Sequence, residues 1–410
     1  MATTDFEAVP AVAGEASARA GTVVMKFGGT SVGDPQKLKD VATRIVAAQS
    51  EGMRVVAVLS AMGDTTDDLV RLAYEISPTP EPRELDMLIS VGERISCSLC
   101  AMAIHDLGHE AISLTGSQAG IVTDTAHGKA KIVDVRARRI HEALDGKKVV
   151  LVAGFQGVST AQEVTTLGRG GSDTTAVALA AALGANHCEI YTDVAGVFTA
   201  DPRIVAGARM LHAVTYDEML ELSASGAKVL QLRSVEVARN YGVKLHVRST
   251  FADEDGTWVT EENERMLEKA IISGVASTSD EAVYRICGVG RAELFERLAQ
   301  AAINVDTIIQ VDDEIVFSAP LRDAPETEAA LDSLGARWTR RDDLAKVSLV
   351  GAGMRSHPGV AARTFAVLRD VGADARFVVT SPIKISFYVS HADAGPTVAA
   401  LHDAFALSRD

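Results

Sequence analysis

Between Thr22 and Thr250 the chain alternates continuously apolar, β-branched runs with helical patterns, and no other feature of the sequence constrains the fold as tightly. The runs VVMKF (23–27), RVVAVLS (54–60), KVVLVAGF (148–155), EIYTDV (189–194) and VKLHVRS (243–249) lack the apolar–polar alternation of a half-exposed strand. They read as strands buried on both faces. Helical patterns lie between them at 36–48, 84–107, 173–183 and 216–240, the last interrupted near Gly226. Such repetition predicts an α/β fold with a mostly parallel sheet sandwiched by helices, in which ligands bind beyond the carboxyl ends of the strands. The residues that follow each strand are therefore the first candidates for chemistry.

Charge narrows the partners. Forty Lys and Arg against 55 Asp and Glu leave a net charge of −15, which repels nucleic acid and anionic membranes but not a small anion captured at a local site. Residues 1–22 carry Asp5 and Glu7 where a secretory signal needs basic residues, and no long apolar run follows, so they read as a mobile tail. The longest uncharged stretch in the middle of the chain, 174–188, is shorter than the roughly 20 residues that span a bilayer. The expectation is a soluble, cytoplasmic protein with no membrane partner. Cysteines at 97, 100, 188 and 287 are too few for a disulfide scaffold, and Cys97-x-x-Cys100 sits in an apolar helical pattern that favours burial over metal or redox use.

After Thr250 the texture changes. Residues 251–265 are acidic and turn-rich and read as a linker. Two stretches of the same plan follow. The first places strands at 270–275, 282–289, 307–310 and 314–318 around a helix at 292–302; the second places strands at 345–351, 376–380 and 384–389 with helices at 358–371 and 395–405. Two small α+β modules after a large α/β domain suggest a regulatory pair on an enzyme.

Two segments carry the candidate chemistry. Lys26-Phe27-Gly28-Gly29-Thr30-Ser31-Val32-Gly33 follows the first strand, and its paired glycines can donate backbone N–H groups to phosphate oxygens beside the Lys26 ammonium. A plain Gly-rich turn with a surface lysine is the competing reading, and the order of Lys and Gly is not that of a Walker A loop. The segment from Thr165 to Thr175 sets Arg169, Gly170, Gly171, Ser172 and Asp173 at the start of an Ala-rich helix, where free N–H groups and the helix dipole make an anion site. Asp173 alone would read as a capping acid; a fixed arginine and a glycine pair are superfluous for capping.

With these segments stand SAMGDTTD (60–67), VGERIS (91–96), LTGSQAGIVTD (114–124), YTDVAGVFTADPRI (191–204) and SASGAKVLQLRS (223–234). In that order, and almost without gaps over about 26–250, they resemble the motifs of aspartate kinases. The region from about 266 onward is similar to the family's two ACT modules, with LVGAGMRSHPG (349–359) matching the second. The resemblance implies an amino acid kinase fold over 23–250, a linker at 251–265 and ferredoxin-like βαββαβ ACT modules at 266–344 and 345–410. It implies transfer of the γ-phosphoryl group of MgATP to the side-chain carboxylate of L-aspartate, the first step towards lysine, threonine and methionine.

On that basis Lys26 and Asp173 are the catalytic pair, with Lys26, Gly28 and Gly29 on the phosphates. Arg169 would fork onto a substrate carboxylate, Glu93 would pair with the α-ammonium, and Ser60, Thr66 and Ser172 would complete the aspartate shell. Thr192, Asp193, Phe198, Asp201, Pro202, Arg203 and Lys228 match the nucleotide segments. No residue is assigned to a metal, because nucleotide magnesium is held largely by phosphates and water. The family's ACT modules imply a homodimer or larger homo-oligomer and lysine or threonine as effectors. The regulatory turns depart from the family at Gly288–Glu293 and at Ser381-Pro382-Ile383, where proline removes an N–H, so altered feedback is expected. Two other readings compete. One is a kinase of the same fold acting on glutamate or acetylglutamate, although an N-acylated substrate leaves Glu93 without its ammonium. The other is a catalytically silent ACT sensor, against which Lys26, Arg169 and Asp173 stand together.

Overall fold

A computed structural model describes residues 21–261 and 271–408. All but the last two residues of the expected tail, 1–22, lie outside this range, as do 262–265 of the expected linker. The chain forms two compact units, one made of the residues up to Asp193 together with Asn240–Leu245, the other of Val194–Arg239 and the residues from His246 onward.

The first unit runs β1 (Thr22–Phe27), α1 (Pro35–Ser50), β2 (Arg54–Leu59), α2 (Thr65–Ile76), α3 (Pro82–Ile89), α4 (Val91–Asp106), β3 (Ala111–Leu114), α5 (Gly116–Ala119), β4 (Ile121–Thr123), β5 (Ile132–Val135), α6 (Arg138–Asp145), β6 (Val149–Ala153), β7 (Gln156–Ser159), β8 (Val164–Thr166), α7 (Gly171–Leu183) and β9 (His187–Thr192). Its main strands lie in the order β9-β1-β2-β6-β3, and β1 pairs in parallel with β2 and β9, as β6 does with β2 and β3. This is the buried sheet that the apolar runs predict. Val24, Val56, Val58, Val150 and Val152 are fully buried on it. The continuous helix expected over 84–107 is instead α3 and α4, broken at Ser90. By length and composition the run Pro82–Asp106 could cross a membrane; half of its apolar window is buried in the fold, and Cys97, Cys100 and Ile104 join the core under the sheet. A second sheet, β5-β4-β7-β8, stands beyond the apolar runs of the sequence.

The second unit contains β10 (Ala213–Thr215), α8 (Tyr216–Ala224), most of α9 (Leu232–Tyr241), β11 (Leu245–Ser249), β12 (Thr257–Thr260), β13 (Gly274–Thr278), β14 (Glu281–Cys287), α10 (Arg291–Gln300), β15 (Ile308–Val311), β16 (Glu314–Pro320), α11 (Ala324–Ser333), β17 (Arg337–Arg341), β18 (Leu344–Val350), α12 (Val360–Val371), β19 (Phe377–Ser381), β20 (Lys384–Ser390) and α13 (His391–Ala404). The stretch 251–265 is not a plain linker, since β12 pairs in parallel with β10. Beyond it stand two antiparallel sheets, β15-β16-β14-β17 and β13-β18-β20-β19. The strand expected to open the first module, β13, is thus the edge of the second sheet, joined to β18 from Gly274–Val350 to Thr278–Lys346.

Candidate active site

The carboxyl ends of β1, β2, β6 and β9 converge, as parallel strands with short following loops require. Gly28 donates to the Tyr191 carbonyl (3.4 Å), Ser60 to Phe27 (3.1 Å) and Gly154 to Leu59 (3.1 Å), so four strand ends are laced by backbone hydrogen bonds. The loop after β1 turns through Gly29–Val32, and a Cβ at Gly29 would sit 3.0 Å from the Ala61 carbonyl. That close approach is what the paired glycines permit.

On this edge the Lys26 ammonium meets Asp173 at 2.6 Å, with both side chains about nine-tenths buried. Asp173 lies in the first turn of α7, whose entry residue Gly170 is left-handed (φ 73°). Gly28 stands beside the same ammonium, its Cβ position 3.4 Å from Lys26 Nζ. Ser172, next to Asp173, presses on Gly154: a Cβ there would lie 2.7 Å from Ser172 Oγ. Lys26, Gly28, Gly29, Ser60, Ser172 and Asp173 are therefore gathered at one edge. Thr66 sits in the first turn of α2 and is half-buried. Arg169 is exposed on the turn before α7 and pairs with no carboxylate among the described residues.

Glu93 is 3% exposed in the first turn of α4, and its Oε2 has no hydrogen-bond partner among the described residues. Burial drives its pKa up to about 7 against the pull of the backbone N–H groups of Glu93 and Ala61 and of the Arg94 charge. The helix reaches this depth because Gly92 has no side chain; a Cβ would lie 2.7 Å from that of Ala61. A buried carboxylate oxygen with nothing to bind is an expensive arrangement, and a ligand cation would relieve it.

Thr192 and Asp193 end β9, with the Thr192 hydroxyl donating to Asp193 (3.0 Å). The remaining predicted nucleotide residues belong to the second unit. Phe198 forms an isolated bridge with Met210. Asp201 grips Arg203 through a fork, Nε to Oδ1 at 3.0 Å and Nη2 to Oδ2 at 2.7 Å, which holds the Asp201 carboxyl below its ordinary range. Pro202 is exposed between them. Lys228, although exposed, is held by Asp280 at 2.6 Å, on the turn between β13 and β14. Among the described residues no cluster of three His, Cys, Asp or Glu side chains could hold a metal. Sequence reasoning missed the residues that shape this edge rather than touch a ligand: Gly92, Gly154 and the network of Ser90, Arg94 and Gln156, in which Gln156 donates to the Ser90 carbonyl at 2.6 Å and accepts from Arg94 at 3.2 Å. An isolated glycine inside a helical pattern was the available signal for Gly92.

Comparison with known proteins agrees with the motifs. Residues 21–249 match the amino acid kinase family and residues 347–405 an ACT domain. The chain is 50% identical over 407 residues to the aspartokinase of Mycolicibacterium smegmatis, covering 95% of this chain and 97% of that one. Among solved structures it is similar to E. coli aspartokinase III in complex with aspartate and ADP (R-state), with 26% identity, a TM-score of 0.83 and coverage of 93% of this chain and 99% of that chain. It is also similar to the same enzyme in complex with lysine and aspartate (T-state), with 26% identity, a TM-score of 0.73 and the same coverage. The chain belongs to the aspartokinases of the amino acid kinase family.

Proposed function

We propose that the chain phosphorylates the side-chain carboxylate of L-aspartate with ATP, giving 4-phospho-L-aspartate and ADP, at the head of the route to lysine, threonine and methionine. The observation that carries this reading is the buried, unpartnered oxygen of Glu93, which suits the free α-ammonium of an amino acid and not an N-acylated one. Arg169, exposed and uncommitted, suits a substrate carboxylate, with Ser60, Thr66 and Ser172 supplying hydroxyls.

In the reaction an aspartate carboxylate oxygen attacks the γ-phosphorus in line, the bond to the β-phosphate oxygen breaks, and no proton need be removed, because the nucleophile is already ionised. Lys26 neutralises charge on the transferring oxygens, Asp173 holds Lys26 in place across 2.6 Å, and the Gly28 and Gly29 amides cradle phosphate. Thr192, Asp193, Phe198, Asp201, Pro202, Arg203 and Lys228 serve the nucleotide. Thr192 and Asp193 carry the oxygen donors that a magnesium ion accompanying ATP would take, and such an ion would supply charge neutralisation on the phosphates.

Kinase residues 23–250 precede a regulatory pair at 266–344 and 345–410, with β13 lent to the second sheet. Lysine or threonine would act there, and a cavity of about 250 Å³ lined by Pro358, Gly359, Ser381 and Pro382 offers one place. Pro382 lacks the N–H that an effector carboxylate would use, which supports altered feedback. A cytoplasmic homodimer or larger homo-oligomer completes the reading. Trapping the acyl phosphate as a hydroxamate tests it. Aspartate should be turned over, and glutamate and acetylglutamate should not; Lys26→Ala should lower kcat roughly 10²–10³-fold or more with the fold intact. Turnover of acetylglutamate in preference to aspartate would sink the assignment.

A further inference from the structure

A buried and multiply hydrogen-bonded carboxylate, Asp86 of α3, accepts from none of the residues assigned to substrate. It is 1% exposed. Its Oδ1 accepts from the Thr166 hydroxyl at 2.5 Å and its Oδ2 from His127 Nδ1 at 2.7 Å, while the Gly128 amide spans both oxygens at 3.2 and 3.1 Å. These donors belong to two segments that flank Arg169. Thr166 ends β8, three residues before Arg169, and its carbonyl accepts from Ala130 N at 3.0 Å. Gly128 lies against the turn itself, since a Cβ at Gly168 would be 3.0 Å from the Gly128 carbonyl, and Gly168 is left-handed (φ 75°). On its other side Asp86 sits in the helix that runs to Ser90, where Arg94 Nη2 and Gln156 Nε2 pin the break before Glu93. One carboxylate thus ties the helix leading to Glu93 to the turn that carries Arg169.

We propose that Asp86 is a positioning residue that fixes the separation of Glu93 and Arg169, and so sets the length of amino acid the site accepts. The inference rests on the proposed roles of Glu93 and Arg169. Two buried strand-and-helix segments bridged by charge-assisted hydrogen bonds hold a geometry that separate surface loops would not. Asp86→Asn keeps the shape but removes the charge and exchanges one acceptor oxygen for an NH2 group, which cannot accept from the Gly128 amide that now bonds to both oxygens.

The test compares Asp86→Asn, Thr166→Val and Thr166→Ser with the unaltered chain in the hydroxamate assay. Asp86→Asn should raise the KM for aspartate tenfold or more, leave the KM for ATP within twofold, and raise glutamate turnover relative to aspartate. Thr166→Val should raise the aspartate KM severalfold and Thr166→Ser should restore it, which keeps the inference testable should Asp86→Asn fail to fold. Equal losses for ATP and aspartate, or an unchanged aspartate KM in Thr166→Val, would overturn it. Absence of aspartate turnover by the unaltered chain would strike the functional reading instead.

Discussion

Glu93 concentrates the tension between stability and function at the scale of one residue. Its folded pKa of about 7 exceeds the unfolded value near 4.5, so between those pH values the folded chain keeps a proton that the unfolded chain has lost. Stability attributable to this group is therefore present at low pH and falls as pH rises from about 4.5 to about 7, by about 3 kcal/mol in all. Glu93→Gln should remove that slope and make the ligand-free chain more stable at pH 8, read by denaturant unfolding, while raising the KM for aspartate at least tenfold. In the unaltered chain the aspartate KM should climb below pH 7, because the ammonium binds the ionised form; a flat KM profile between pH 6 and 8 would contradict this. The motif VGERIS marks Glu93 in the sequence. Its burial was not legible there, because it depends on Gly92 of α4 meeting Ala61 in the loop after β2.

Elements explain why the site is rigid. The start of α7 is held at the strand edge by contact of Ser172 with Gly154, closer than any side chain at 154 would allow. Gly154→Ala would place Cβ 2.8 Å from Ser172 Cβ and 3.0 Å from its Cα, so the first turn of the helix must shift and take Asp173 with it. Overpacking of this kind costs about 1–3 kcal/mol, which a domain this size survives, but the 2.6 Å pairing of Asp173 with Lys26 does not tolerate the shift. The expected outcome is a folded protein, by circular dichroism, whose kcat is down at least tenfold; full activity would show that α7 can slide without cost. The parallel sheet and α7 were legible because long apolar runs and an Ala-rich helix have clear periods. The sheet β5-β4-β7-β8 was not, since strands of three and four residues are too short to show one.

At the scale of the regulatory region, the strand read as opening the first of two tandem modules, β13, joins the second sheet at β18, because a strand's sequence records its burial but not its partner. A polar seam crosses the same boundary. Lys346 of β18 is 1% exposed and pairs with Glu281 of β14 and, at 2.5 Å, with Asp306; Tyr388 of β20 donates to Glu281 at 3.0 Å and meets Thr307 at 3.0 Å. Burial works against the Lys346 charge, but the two carboxylates outweigh it and hold its pKa above 10.5. With a folded pKa raised in this way, the stability it contributes is complete below the unfolded pKa and is lost only as pH rises through the folded one. Lys346→Ala leaves Glu281 and Asp306 facing each other without a counter-charge, and removing one partner of a buried pair costs about 3–5 kcal/mol. The lower end applies, because Asp306 remains 41% exposed and can reach water. Adding Glu281→Gln to Lys346→Ala leaves Asp306, which reaches water, as the one charge of the trio and should recover most of that loss, which a simple cavity at 346 would not allow. Denaturant unfolding of both variants at pH 7.5 decides between these accounts: a double variant as unstable as Lys346→Ala would mean that the seam is held by packing and that its charges are incidental.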